Sequence, residues 1–196
     1  RRVAHRDSRA SCVRVHGRHM TRRPREQHPR ALYHVIGRGC RGAPIFRETR
    51  DKKHFLHLLS EAARELSWEI PNWVLMTNHY HLALRLTEAN LSEGMKHIHG
   101  LFAQKWNERH RSMGHVFFRR YANVPVKTER HVTRLALYLD LNPVRAGLCR
   151  VPGQWDWGGF NAIAGVRTSL PFHDPDAGLR LRHHDGEHEA EHGADD

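Results

Sequence analysis

The chain has 196 residues, 32 Lys and Arg against 21 Asp and Glu, and a formal net charge of +11. That length supports one hydrophobic core with tails and hardly two, and the positive excess is the footprint of a protein that meets a polyanion. No run approaches the roughly eighteen apolar residues of a membrane span and no charged start leads into an apolar stretch, so a cytoplasmic protein is expected.

The charge is uneven: +8 over residues 1–30, +9 over residues 31–173 and −6 over residues 174–196. Residues 1–30 read as a basic flexible arm and residues 161–196 as a flexible His- and acid-rich tail, because neither has the apolar periodicity needed to build a core. One domain is expected between them, over residues 31–160. Within it, Ala31 to Arg38 reads as a strand entering a turn at Gly37-Arg38-Gly39. Thr49 caps a helix through about Ser67, with Phe55, Leu58, Leu59, Ala62 and Leu66 at helical spacing. Trp68 to Met76 and His79 to Leu86 form two strands joined at Thr77-Asn78. Asn90 and Glu93 make a capping-box pattern before a helix carrying Leu91, Met95, Ile98, Phe102 and Trp106 on one side. His115 to Val126 reads as a strand with Arg119 and Arg120 in its middle, and Thr128 caps a third helix that runs to about Leu141, just before Asn142-Pro143.

The order β-α-β-β-α-β-α predicts an α+β fold. It is a ferredoxin-like split βαβ with an antiparallel sheet, helices on one face, the other face open for a ligand, and an additional C-terminal helix.

In Asn78-His79-Tyr80-His81, strand alternation sends His79 and His81 to one face and Tyr80 to the other. Two imidazoles side by side begin a metal site. On the third helix, at about 100° per residue, His131, Arg134 and Asn142 fall within roughly 40° of Tyr138. Tyr138 and Asn142 are one turn apart, about 6 Å at the Cβ level. Asn142 can offer an oxygen to a cation while Tyr138 presents its hydroxyl beside it. Such parts suit phosphodiester cleavage: a cation held by two imidazoles and an amide oxygen keeps open positions for a phosphate. Tyrosine becomes a nucleophile where cations stabilise its phenolate, a task open to Arg134 or Arg145. Arg38, Arg119, Arg120, Lys127 and Arg145, with Trp155 and Trp157, suit single-strand binding through phosphate contacts and base stacking.

Bland readings compete. An isolated HxH on a strand is more often a half-exposed pair without metal, and a lone tyrosine is more often an edge-of-core residue. Tyr33, Tyr80 and Tyr121 are rival nucleophiles, but Tyr80 faces away from its histidines and the other two lack a ligating residue one helical turn away. His54, His57, His97 and His99 read as surface or packing residues on helices.

His79-Tyr80-His81 resembles the HUH motif of single-tyrosine transposases. The surrounding text resembles the REP-associated tyrosine transposases of the IS200-like family: YHVIGRG (33–39), PIF (44–46), WVLMTNHYHLAL (73–84), NLSEGMKHIHG (90–100), GHVFFRRY (114–121), YLDLNPVRAGL (138–148) and WDWGGF (155–160). The resemblance implies that His79, His81 and Asn142 ligate Mg²⁺ or Mn²⁺ and that Tyr138 attacks single-stranded or hairpin DNA. The products implied are a 5′-phosphotyrosine and a 3′ hydroxyl, and strands can then be rejoined. The related insertion-sequence enzymes are dimers, so the resemblance allows a homodimer but leaves monomer versus dimer open, and with it whether Tyr138 serves its own subunit's metal site or a partner's. The chain departs from the family at Cys40, where Asn is usual after RG, and near Phe118, where a Gln is usual. A second reading is a non-catalytic protein that binds single-stranded DNA or RNA on the same fold. A zinc hydrolase is the weaker third, since there is no HExxH helix.

Overall fold

In a computed structural model of the chain, which describes residues 27–182, four strands form one antiparallel sheet in the order β2-β3-β1-β4. The strands are β1 (Leu32–Arg38), β2 (Glu69–Leu75), β3 (His79–Arg85) and β4 (Ala122–Val126), with α1 (Thr49–Glu65), α2 (Leu91–Arg109) and α3 (Glu129–Arg145) between and after them. This is the α+β split βαβ expected from the element order, with the additional helix in place.

Strand alternation divides the apolar residues between two cores. Tyr33 and Val35 of β1, Leu75 of β2 and Tyr80, Leu82 and Leu84 of β3 face α1 and α2, where Phe55, Leu59, Met95, Ile98 and Phe102 complete the larger core. Leu32, Val74, Met76 and Ala83 face the opposite way and are covered by Leu135, Ala136 and Leu139 of α3. The face expected to be open is thus partly covered by the helix that carries Tyr138. Gly37 lets β1 pass under Tyr80, since a Cβ there would lie 2.3 Å from the buried ring.

Three elements differ from expectation. The fourth strand begins at Ala122 rather than His115. Residues 115–121 instead run beside the end of β1, held by Cys40 N–H to the Val116 carbonyl (2.9 Å) and Phe118 N–H to the Arg38 carbonyl (2.9 Å). Phe118, Arg119 and Arg120 are all exposed in succession, a pattern that a half-buried strand cannot give, so both arginines sit on a loop. The third helix does not stop at Leu141 but includes Pro143 and runs to Arg145. Pro143 is buried on the side of α3 that meets Trp73 and Val74, and that packing outweighs the one hydrogen bond a proline removes.

The third difference is the segment expected to be a flexible tail from residue 161. Residues 161–182 pack onto β2, with α4 (Phe160–Ile163) and α5 (Pro175–Arg180), Phe172 and His173 buried, and Leu181 in the smaller core. The outer edge of β2 is covered by bridges from Val74 to Gly158 and from Ile70 to His173. The other edge is β4, a five-residue strand containing Pro125. Residues 1–26 of the expected basic arm and 183–196 of the expected tail lie outside the described residues.

The start of α1 is fastened to the end of α2 through Asp51, which has no exposed surface. Its carboxylate accepts from the N–H groups of Arg47 and Glu48 and from the side chains of Arg109 and His110. Burial acts to raise its pKa, but these bonds outweigh it and hold the carboxyl below the ordinary 3.8. A depressed native pKa means the stabilisation is present above the unfolded value and is lost as pH falls through the native one.

Asp51→Ala is expected to lower the unfolding free energy by about 3 kcal/mol at neutral pH. In urea titrations the gap from wild type should narrow once the pH drops below about 4; a constant gap would assign the loss to packing instead. Phe172 stands 5.8 Å from the Trp73 ring. Phe172→Ala should cost about 3 kcal/mol, a loss that thermal unfolding would miss only if residues 161–182 were not part of the cooperative unit.

Candidate active site

The register of the sheet builds one side of the site. Ile36 pairs with His81 and Arg38 with His79 across β1 and β3, while Val74 of β2 flanks His81 from the other side. His79 and His81 share a face, their ring centroids 5.0 Å apart at 85°. Tyr80 points the other way, fully buried, against Phe55 at 4.6 Å and with its hydroxyl 2.7 Å from His99 Nε2. His99 is therefore a core partner, stacked on Phe117 at 3.7 Å.

The opposite wall is α3, started by Thr128, whose hydroxyl accepts from the His131 N–H. Its stripe of Leu135, Ala136 and Leu139 turns Tyr138 toward β1 and β3, where the phenol meets His81 edge-on at 5.2 Å and His34 at 5.7 Å. One turn on, Asn142 is buried and shares a hydrogen bond with the His79 ring. The strand pair and the helix pair predicted from sequence thus converge. A buried network fixes the depth of α3: the Asn72 amide of β2 donates to Asp140 at 3.0 Å, and Arg182 reaches the other oxygen of Asp140.

Of the chain's four tyrosines, three are buried. Tyr33 accepts the His28 N–H at 2.8 Å, Tyr121 pairs with Ser92 Oγ at 3.1 Å, and Tyr80 is bonded as above. Tyr138, in contrast, is 36% exposed, with the Arg145 guanidinium 5.9 Å from its ring centre. Beside it lies an open pocket of about 530 Å³ lined by His34, His131, Arg134, Tyr138 and Arg145 among others. A cationic wall of this kind suits an anionic ligand.

Burial, then the neighbouring His34 and His79 rings, lower the His81 pKa to about 2. Burial and the charge of His131 lower that of His34 to about 4, and burial also lowers that of His79. Neutral imidazole is the form that ligates metal. His81 Nε2 is buried without a hydrogen-bond partner, which is uncommon for a buried polar atom and would be relieved by a cation. Among the described residues no group of three or more His, Cys, Asp or Glu is placed to hold a metal ion. Beside His79 and His81, Asn142 is in contact and offers a neutral amide oxygen. Two imidazoles and an amide oxygen fit a divalent cation with positions left open.

The sequence-predicted binding residues do not all gather here. Arg134 and Arg145 line the pocket; Arg38 ends β1 opposite His79, with the exposed Arg119 and Arg120 on the loop bonded to it. Lys127 is exposed at the turn into α3. Trp155 and Trp157 are tethered elsewhere. The Trp155 indole donates to the Leu75 carbonyl at 3.1 Å, the Leu75 N–H donates to the Trp157 carbonyl at 2.8 Å, and the Lys52 ammonium lies about 5 Å from both rings. Both rings are half-buried, and these bonds fasten the segment to β2. His34 was not singled out from sequence, although its place two residues before Ile36 puts it on the His81 face of the sheet. The exposed Phe118 between Arg38 and Arg119 was likewise passed over.

No helix among the described residues is long and apolar enough to cross a membrane. No curated protein matches the chain. Among solved structures, a REP-associated tyrosine transposase bound to a REP hairpin is similar at a TM-score of 0.65 and 15% identity, over 78% of this chain and 90% of that one. A provisionally named transposase of Deinococcus radiodurans R1 is similar at a TM-score of 0.43 and 15% identity, over 59% of this chain and 93% of that one. The model of the family "Transposase IS200 like" matches residues 27–141, from the lead-in to β1 through Tyr138. With more than half its length in that match, the chain belongs to the IS200-like transposase family of DNA-processing enzymes.

Proposed function

We propose that the protein nicks and rejoins single-stranded or hairpin DNA at palindromic repeats, using Tyr138 as the nucleophile. The observation that carries this reading is the exposure of Tyr138 beside His81, when the chain's other tyrosines are buried with their hydroxyls bonded. The structurally similar REP-associated tyrosine transposase is bound to a REP hairpin, a ligand of the same class.

His79, His81 and Asn142 would hold a divalent cation, Mg²⁺ or Mn²⁺, and when bound it polarises a phosphate oxygen and offsets developing negative charge. The Tyr138 hydroxyl loses its proton as its oxygen attacks phosphorus. The bond from phosphorus to the 3′ oxygen breaks, that oxygen leaves as a 3′ hydroxyl after taking a proton, and the 5′ phosphate stays on Tyr138. Attack by a 3′ hydroxyl on the phosphotyrosine reverses these steps, so joining needs no ATP. Arg145, lying over the phenol ring, and Arg134 at the pocket rim bind the adjoining phosphates. Arg38, Arg119 and Arg120 extend the cationic track past His79. The fixed walls of β1, β3 and α3 orient the phenol before DNA arrives.

Incubated with a labelled palindromic hairpin and Mn²⁺, the wild type should give a covalent adduct on denaturing electrophoresis, and Tyr138→Phe should give none while still binding DNA. An adduct that persists in Tyr138→Phe moves the nucleophile elsewhere. Binding without any adduct across several hairpins favours a non-catalytic single-strand DNA- or RNA-binding protein. Affinity for single strands should fall steeply with salt, and Arg134→Ala and Arg145→Ala should each lower the log–log slope by about one; unchanged slopes would remove these residues from the phosphate contacts.

A further inference from the structure

We infer that His34 is the positioning residue of this site: it accepts a hydrogen bond from His81 Nδ1 and so holds His81 in the tautomer whose Nε2 lone pair is free for a cation. The inference rests on the metal-centre reading proposed above and adds a residue that reading does not contain.

A neutral imidazole carries one N–H and one lone pair, so a ring that ligates through one nitrogen must be protonated on the other. His79 shows how the protein arranges this. The Asn78 amide nitrogen donates to the Gly42 carbonyl at 3.0 Å, so the amide oxygen is the atom left to face His79 Nδ1 at 2.6 Å. An amide oxygen can only accept. His79 Nδ1 therefore carries the proton, and Nε2 is the nitrogen left with a lone pair.

His81 meets a different partner in the same way. Its Nδ1 lies 2.8 Å from His34 Nε2, and its Nε2 is buried with no partner. If His34 donated, His81 Nε2 would be a buried N–H with nowhere to donate. If His81 donates, Nε2 is a buried lone pair, which costs less to leave open and is the state a cation needs. His34 reaches this position because it stands on β1 opposite Ala83, two pairs along from Ile36 and His81 and so on the same face, with its ring 5.0 Å from that of His81. Both candidate ligands are then held from behind through Nδ1, His79 by an amide on its own strand and His81 by an imidazole from the neighbouring strand.

The test uses the full-length protein without DNA. Long-range ¹H–¹⁵N spectra of the metal-free wild type should show His81 protonated at Nδ1. Calorimetric Mn²⁺ titrations should show a loss of about 10–100-fold in affinity for His34→Leu. His34→Gln, whose side-chain oxygen can accept from His81, should recover most of it. His81 protonated at Nε2, His34→Leu binding Mn²⁺ as the wild type does, or His34→Gln failing as fully as His34→Leu would each overturn the role of His34. If His34→Leu does not fold, the wild-type tautomer decides. Mn²⁺ uptake lost in His81→Ala but unaffected in His34→Leu removes only the role of His34, whereas a wild type that takes up no Mn²⁺ removes the metal centre itself.

Discussion

The two-residue period of β3 governs the molecule. Tyr80, Leu82 and Leu84 enter the core beneath α1 and α2, while His79, His81 and Ala83 face α3. Because the large core locks the first set, the second set has no freedom to slip: a shift of one residue would bury the imidazoles and expose three large apolar side chains. The rigidity of the histidine pair is thus supplied from the far side of the sheet. The cost of that arrangement appears at Gly37, where the chain gives up a side chain so that β1 can cross the Tyr80 ring.

The second wall depends on how α3 is seated. Its apolar stripe fixes rotation about the helix axis, but apolar contacts alone tolerate sliding. The buried chain of Asn72, Asp140 and Arg182 is directional, and Asp140 lies between Tyr138 and Asn142 in sequence. Hydrogen bonds to a buried charge have narrow geometric tolerance, so the network sets the depth at which phenol and amide meet the strand. The segment after residue 160 thereby contributes to the site through Arg182 without entering it.

Sequence reading recovered what rests on local periodicity. The strands β1 to β3, α1, α2 and the convergence of His79, His81, Tyr138 and Asn142 follow from spacing, as does the basic character of the surface. What it missed rests on contacts between distant segments. Val116 and Phe117 look like strand residues, yet only the pairing partner decides whether a strand forms, and β1 offers a single bridge there. Pro143 ends a helix on local grounds and is retained by burial against β2. Residues 161–182 have too few apolar groups to suggest a fold, but Phe172, His173 and Leu181 are placed on surfaces that already exist. His34 is one polar residue in a half-buried strand, and nothing in its own neighbourhood announces that its partner is His81, 47 residues later.

The two margins of the sheet bear on how copies of the chain can meet. Along β2, the backbone groups that a further strand would need are engaged by Gly158 and His173. Along β4, a short strand with a proline offers a broken ladder. Both margins therefore disfavour growth of the sheet from one molecule into the next. A strongly basic protein is thereby kept from readily templating strand-on-strand aggregation.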